Sequence, residues 1–447
     1  MLQVLANRTY RHLFLAQVIA LTGTGLATVA LGLLAYDIAG ADAGAVLGTA
    51  LAIKMIAYVG VAPVAAAFAD RWPRRRMLVT LDLIRAAVAL FLPFVTEVWQ
   101  VYVLIFVLQS ASAAFTPTFQ ATIPDILPDE KEYTRALSLS RLAYDLESVA
   151  SPMLAAALLT VINFHTLFAG TVIGFLGSAA LVLSVVLPHA QPAEKRPIYE
   201  RTTKGMRIYL ATPRLRGLFF INLAVAAAGA MVIVNTVVFV QAVMGLDQRS
   251  TAWALASFGA GSMISALVLP QLLDNLSDRN VMLSGVSILI AGLLLTVFIS
   301  SYGVLIVLWF LIGIGYSTAQ TPSGRLLRRS AQPADRPALF AAQFALSHAS
   351  WLVTYPLAGW LGAKAGLGAA SIALTLIAAT AMIAARYVWP SVDPELLTHE
   401  HAGMQAGHPH IANDNVLDAD GRHSHPFVID SHHLEWPQAD GSRTHRE

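Results

Sequence analysis

The stretch Ala66-Ala67-Phe68-Ala69-Asp70-Arg71-Trp72-Pro73-Arg74-Arg75-Arg76 decides how this chain is read. It is a short, strongly charged break between two long apolar runs, over residues 44–69 and 77–96. A helix that crosses a bilayer needs about 20 mostly apolar residues, and both neighbours meet that need. Working outward by the same rule gives twelve spans, over residues 13–37, 44–69, 77–96, 100–122, 138–161, 164–187, 216–241, 252–272, 281–300, 303–322, 338–361 and 369–389. The longest polar break, 188–215, divides them six and six.

Composition agrees with that reading. The chain of 447 residues is 56% hydrophobic and 13% charged, with a mean hydropathy of +0.62. Soluble domains carry about 25% charged residues, and their helices show shorter apolar stretches on one face only. Cysteine is absent, which excludes disulfides, thiolate metal sites and catalytic thiols. Met1 to Arg11 lacks the charged, apolar, small-residue order of a cleaved signal, so the first apolar run is expected to remain as a span. No Gly-rich phosphate loop of the GxxxxGK[ST] type is present, and no nucleophile has a base at usable spacing. An enzyme is not expected, and neither is a nucleic-acid partner.

Lysine and arginine set orientation, because cytoplasmic loops carry the excess. Counting loops between spans from the N-terminus, the even ones hold Arg71, Arg74, Arg75 and Arg76, then Lys131 and Arg135, seven basic residues from Lys195 to Arg216, Arg279, and finally Arg325, Arg328, Arg329 and Arg336. The odd loops hold only Arg249 and Lys364. The even loops and both termini are therefore expected in the cytoplasm of a bacterial inner membrane. The expected organisation is a six-helix half over 1–188, a cytoplasmic linker over 189–215, a second half over 216–390 and a tail over 391–447. A monomer in the lipid bilayer is the expected state.

The opening stretch resembles the signature loop of the major facilitator superfamily, Gly-x-x-x-Asp-Arg-x-Gly-Arg-Arg, between the second and third spans. Asp70, Arg71, Arg74 and Arg75 match; Ala66 and Pro73 stand where the family has glycine. Asp278-Arg279, between spans eight and nine, is a faint second copy. The resemblance implies an all-α membrane fold of two six-helix halves. It also implies a gating role for Asp70, Arg71 and Arg74, with the aspartate helping to latch the halves on the cytoplasmic side. A carboxylate in such a loop can pair with the arginines or sit at a helix N-terminus, where the dipole favours an anion; the arginines can also be topology signals alone.

Ionisable side chains inside spans are functional candidates, since each costs at least ~2.5–3.5 kcal/mol at a helix centre. They are Lys54, Asp82, Arg85, Arg141, Asp145, Glu147 and His348. At about 1.5 Å of rise per residue, Lys54, Glu147 and His348 fall near mid-bilayer. Their spans, two, five and eleven, are each the middle helix of a three-span repeat, and substrate sites of such transporters lie near the midplane at repeat interfaces. Arg141 and Asp145, four apart, share a helix face and can pair, either structurally or as part of the transport path. Glu147 points elsewhere and is the better proton-coupling candidate. Burial favours the protonated form of a carboxylate and a neighbouring cation the ionised form, so proton occupancy there can follow which side is open. A permanent Lys54–Glu147 pair is the alternative. Asp82 and Arg85 read as structural. His348 reads as a metal ligand, a proton relay or a simple interhelical hydrogen bond.

Nine of the thirteen histidines lie in the last 49 residues, eight of them in the pairs His399/His401, His408/His410, His423/His425 and His432/His433. Neutral imidazole suits nickel, cobalt, copper and zinc, which makes these candidate metal ligands in a tail otherwise expected to be disordered. Residues 423–437 mix histidines with apolar anchors and could dock on the cytoplasmic face. Asn7-Arg8-Thr9-Tyr10-Arg11 and Ile123-Pro124-Asp125-Ile126-Leu127-Pro128 resemble the bacterial drug:proton antiporter type, and the histidine-rich tail resembles that of nickel-resistance efflux proteins. These resemblances imply proton-coupled efflux of a divalent transition metal, Ni²⁺ or Co²⁺, as cargo with no resident cofactor. The alternatives are a multidrug or macrolide exporter with an incidental tail, and a membrane metal sensor on a degenerate transport body.

Overall fold

The computed structural model describes residues 2–39, 43–69, 72–188, 198–393, 396–399, 423–430, 433 and 436–437. In chain order the helices are α1 (Arg8–Ala39), α2 (Ala43–Ala69), α3 (Arg74–Phe91), α4 (Val98–Ile126), α5 (Glu130–Leu158), α6 (Phe164–Leu183), α7 (Ile198–Ala211), α8 (Pro213–Val237), α9 (Gln248–Leu273), α10 (Asp278–Leu295), α11 (Tyr302–Gln320), α12 (Ser323–Arg329), α13 (Arg336–Ala365) and α14 (Leu367–Val388). Apart from α7 and α12, these correspond one to one with the twelve expected spans. Among the described residues, nine are long and apolar enough to cross a membrane on length and composition. The other three are α2, α5 and α13, the helices that carry Lys54, Glu147 and His348.

Polar residues at the breaks start the helices. Asp129, Asn163, Asp247, Ser277 and Ser301 each accept a hydrogen bond from a backbone N–H in the first turn of the helix that follows, satisfying a donor that has no intrahelical partner. Hydrogen bonds from Ser250 hold the Asp247 carboxyl below its ordinary range. Bilayer-embedded helices gain little hydrophobic drive from one another and rely on close backbone approach. Here α9 and α11 cross so tightly that a Cβ on Gly261 would lie 2.0 Å from the Phe310 carbonyl oxygen, and one on Gly313 at the same distance from that of Phe258.

The two halves repeat one packing scheme. In the first, α1 packs on α5 and α6, α4 on α2 and α3, and α3 on α6. In the second, α8 packs on α13 and α14, α11 on α9 and α10, and α10 on α14. Matching the helices in order, each of these five contacts of one half has its counterpart in the other. The seam obeys the same symmetry, with α2 against α13 and α5 against α9. Between the halves in sequence, α7 lies across α13 and α2, tied by a Lys204–Asp335 ion pair and a 2.6 Å Tyr209–Gln343 hydrogen bond.

The tail is docked where it is described. Strand β1 (Leu396–His399) pairs antiparallel with β2 (His423–Pro426), setting His399 opposite His423. Phe427, Val428 and Ile429 are buried, and Phe427 and Ile429 join the core of the second half. Arg214 donates to the Phe427 carbonyl at 3.3 Å and lies over the Trp436 ring. Asp393 accepts from Arg214, Arg329 and the Trp389 indole.

Candidate functional site

Lys54, Glu147 and His348 all sit on seam helices, about midway along each. All three are half-buried. An aromatic cluster holds the seam there: the Tyr58 ring centroid is 4.8 Å from Phe344 and 4.6 Å from His348, and Phe344 is 4.2 Å from His348. The Lys54 ammonium lies 5.5 Å from the centre of the Tyr58 ring, within range of a cation–π attraction. One turn further along α13, the Trp351 ring lies tilted against Tyr355, 4.8 Å between centroids.

The His348 ring has a defined polarity. Its Nδ1 is 2.7 Å from the Phe344 carbonyl oxygen, which can only accept. The neutral ring therefore carries its proton on Nδ1 and keeps a lone pair on Nε2. Glu147 lies against α1 where that helix has no side chain: a Cβ on Gly25 would be 3.0 Å from Glu147 Oε1 and 2.2 Å from Ser151 Cβ. Lys54 and Glu147 feel each other's charge but form no direct ion pair among the described residues, so the permanent pair considered from sequence is not what this conformation contains.

Arg141 and Asp145 do pair, through Nε at 3.2 Å and through a second guanidinium nitrogen. The pair also crosses the seam. Arg141 donates to Ser262 of α9 at 3.2 Å and lies 4.7 Å over the Tyr316 ring of α11. Asp82 and Arg85 pair within α3, Ser178 of α6 donates to Asp82 at 2.8 Å, and the guanidinium stacks on Phe115 and Phe175. Those contacts all lie within the first half and fit the structural reading.

On the even-loop side a charge network closes the seam. The Asp125 carboxylate at the end of α4 takes Arg74 of α3 at 2.6 Å on one oxygen and Arg336 of α13 on the other. Arg325 binds Glu130 at 2.6 Å and Asp278 at 3.1 Å, joining α12 to both halves. Tyr133 donates to the Gly324 carbonyl and Arg328 to that of Pro128. Of the three gating residues expected from sequence, Arg74 is part of this network, while Asp70 and Arg71 lie outside the described residues. The sequence reading assigned no role to Asp125 and treated Arg336 as a topology signal. Nothing in the sequence singles out Asp125, because the same loop also carries Asp129, Glu130 and Glu132.

Of the tail histidines, His401, His408, His410 and His432 lie outside the described residues. His399, His423 and His425 are on the paired strands. His433 is buried, with Nδ1 3.0 Å from Asp430 and its ring packed on Phe427. Among the described residues no three of His, Asp and Glu gather as a group that could hold a metal ion.

The Major Facilitator Superfamily profile matches residues 13–252 and 218–417. The chain belongs to the major facilitator superfamily. It is a multi-pass membrane protein of transporter type. Among curated relatives of this superfamily member, the uncharacterized MFS-type transporter YfiS of Bacillus subtilis is 23% identical over 221 residues, covering 46% of this chain and 50% of that protein. Macrolide efflux protein A of Enterococcus faecalis is 27% identical over 152 residues, covering 32% of this chain and 47% of that protein. The chain spans about half the length of these relatives. Two solved structures share the fold across 85% of the chain and 99% of their own length. They are the human organic anion transporter MFSD10 (TETRAN), with a TM-score of 0.75 at 11% identity, and a bacterial homologue of the iron transporter ferroportin in an outward-facing state, with a TM-score of 0.70 at 14% identity.

Proposed function

We propose that this superfamily member is a proton-coupled exporter of amphiphilic organic compounds in a bacterial inner membrane, with both termini in the cytoplasm. The observation that carries the reading is the mid-seam cluster, in which Tyr58, Phe344 and His348 form an aromatic wall beside Lys54 and the isolated carboxylate of Glu147. Binding sites for organic ligands are mostly apolar and aromatic with a few placed polar groups. In this reading Glu147 exchanges the coupling proton and Lys54 biases it towards ionisation when the two approach. His348 Nε2 accepts a hydrogen bond from substrate or from Lys54. The Arg141–Asp145 pair, through Ser262 and Tyr316, reports the state of the seam to the same helix. In this reading Arg74, Asp125 and Arg336 latch the cytoplasmic side, and the conformation described is outward-facing. The name of the macrolide efflux relatives supports the direction and the substrate class.

A second reading is export of Ni²⁺ or Co²⁺, favoured by the register that sets His399 opposite His423. The mid-seam site argues against it: Glu147 and one imidazole beside the cation Lys54 make a poor site for a divalent ion, and the Asp145 carboxylate is already paired with Arg141. The test uses a host lacking its own exporters, carrying the full chain, Glu147→Gln, or a His399→Ala/His423→Ala/His425→Ala triple variant. Macrolide tolerance conferred by the full chain and the triple variant, and lost with Glu147→Gln, is the expected result. Nickel or cobalt tolerance lost with the triple variant, and no macrolide effect in any strain, would overturn the reading in favour of the metal.

A further inference from the structure

A second feature of the seam does not involve the transport path. Where the first two turns of α5 meet the last two turns of α9, on the even-loop side, there is a cavity of about 120 Å³ lined by Lys131, Thr134, Arg135, Leu267, Pro270, Gln271 and Asp274. A single water needs only ~10–15 Å³ on the same measure. Lys131 and Arg135 are four apart and therefore share one face of α5. Neither cation is firmly engaged. Lys131 approaches Asp274 only to 4.0 Å, with its side chain 69% exposed, and Arg135 reaches the amide oxygen of Gln3 at 3.4 Å with no carboxylate partner among the described residues. Ile264, Leu267 and Val268, at helical spacing on α9, are each about half exposed and continue from the cavity towards the bilayer centre. Two under-used cations at headgroup depth, above an apolar track, have the shape of an anionic lipid's two parts.

We propose that this groove binds the phosphodiester headgroup of an anionic phospholipid from the cytoplasmic leaflet. Lys131 and Arg135 take the phosphate, and an acyl chain lies along Ile264, Leu267 and Val268. Anionic leaflets attract basic residues at this position. Because α5 belongs to one half and α9 to the other, a lipid held here stabilises the conformation in which the even-loop ends are together. The proposal stands whether or not the substrate reading does, since it involves none of the mid-seam residues.

The test is thermal unfolding of the purified full chain in neutral detergent, titrated with phosphatidylglycerol, with phosphatidylcholine, or with inorganic phosphate. The expected result is a saturable rise in Tm with phosphatidylglycerol alone. Its half-maximal dose should increase at least fivefold in Lys131→Gln/Arg135→Gln and stay near the wild-type value in Arg76→Gln, which removes an exposed charge of the same side. A charge-retaining Lys131→Arg/Arg135→Lys variant, which guards against general misfolding, should keep the effect. An equal rise with inorganic phosphate would make the site one for free phosphate and overturn the lipid assignment. Equal responses of wild type and the double Gln variant, or no response to phosphatidylglycerol, would overturn the site itself.

Discussion

Glu147 is the residue on which the proposed mechanism turns, and its surroundings are unusually specific. It faces the bare backbone of α1 at Gly25 and has a cation nearby without direct contact. Its replacement by Gln keeps shape and removes the exchangeable charge, so Glu147→Gln is expected to reduce gradient-driven transport at least tenfold while leaving substrate binding within about threefold, measured by flux and by equilibrium binding. Gly25 gives a steric test of the same contact. A methyl there would overlap Ser151, and overpacking of this kind costs about 1–3 kcal/mol. Gly25→Ala is expected to lower Tm, and Ser151→Gly in the same chain to restore most of the loss. The candidates Lys54, Glu147 and His348 were legible from sequence because an ionisable residue in an apolar run stands out. Tyr58 and Phe344, which bring His348 and Lys54 together, were not, because an aromatic in a span looks like any other lipid-facing or core residue until the partner helix is known.

At the scale of helices, the seam members α2, α5, α9 and α13 carry most of what distinguishes this protein. The twelve spans were readable from hydropathy, and α7 and α12 were hidden inside breaks that the hydropathy rule treats as loops. The helix partners were also hidden: nothing in the local sequence says that Gly261 and Gly313 face each other's backbone. That crossing is testable. Gly313→Leu is expected to destabilise the second half severely, and Gly313→Ala to cost about 1–3 kcal/mol, read as a fall in Tm, whereas the same changes at exposed Gly303, which has nothing within 4 Å, should cost little. The tail is a helix-scale matter too. The sequence reading allowed residues 423–437 to dock on the cytoplasmic face; what it did not foresee is that Phe427 and Ile429 join the core of the second half and that Asp393 pairs with Arg214 and Arg329. Truncation after Pro390 would leave those two arginines without Asp393, so a lower Tm is expected for that truncation independent of any metal. Phe427→Ala should reproduce part of that fall, and histidine substitutions on the strands should not.

For the whole molecule, the relevant quantity is the balance between two arrangements of the halves. The latch at Asp125 binds one arginine from each half, and removing its charge leaves two facing cations. Asp125→Asn is expected to shift the population towards the arrangement open on the even-loop side by at least tenfold, which corresponds to about 1.4 kcal/mol. The chain has no cysteine, so single cysteines placed along α5 and α13 can be labelled without background, and faster labelling from the cytoplasmic side in Asp125→Asn is the expected readout. The proposal of coupled export is tested most directly by transport into everted membrane vesicles with an acid interior. Wild-type vesicles should accumulate a radiolabelled macrolide, release it when the pH gradient is collapsed, and lose the activity with Glu147→Gln. Accumulation that persists without the gradient, or a Glu147→Gln variant indistinguishable from wild type, would contradict it.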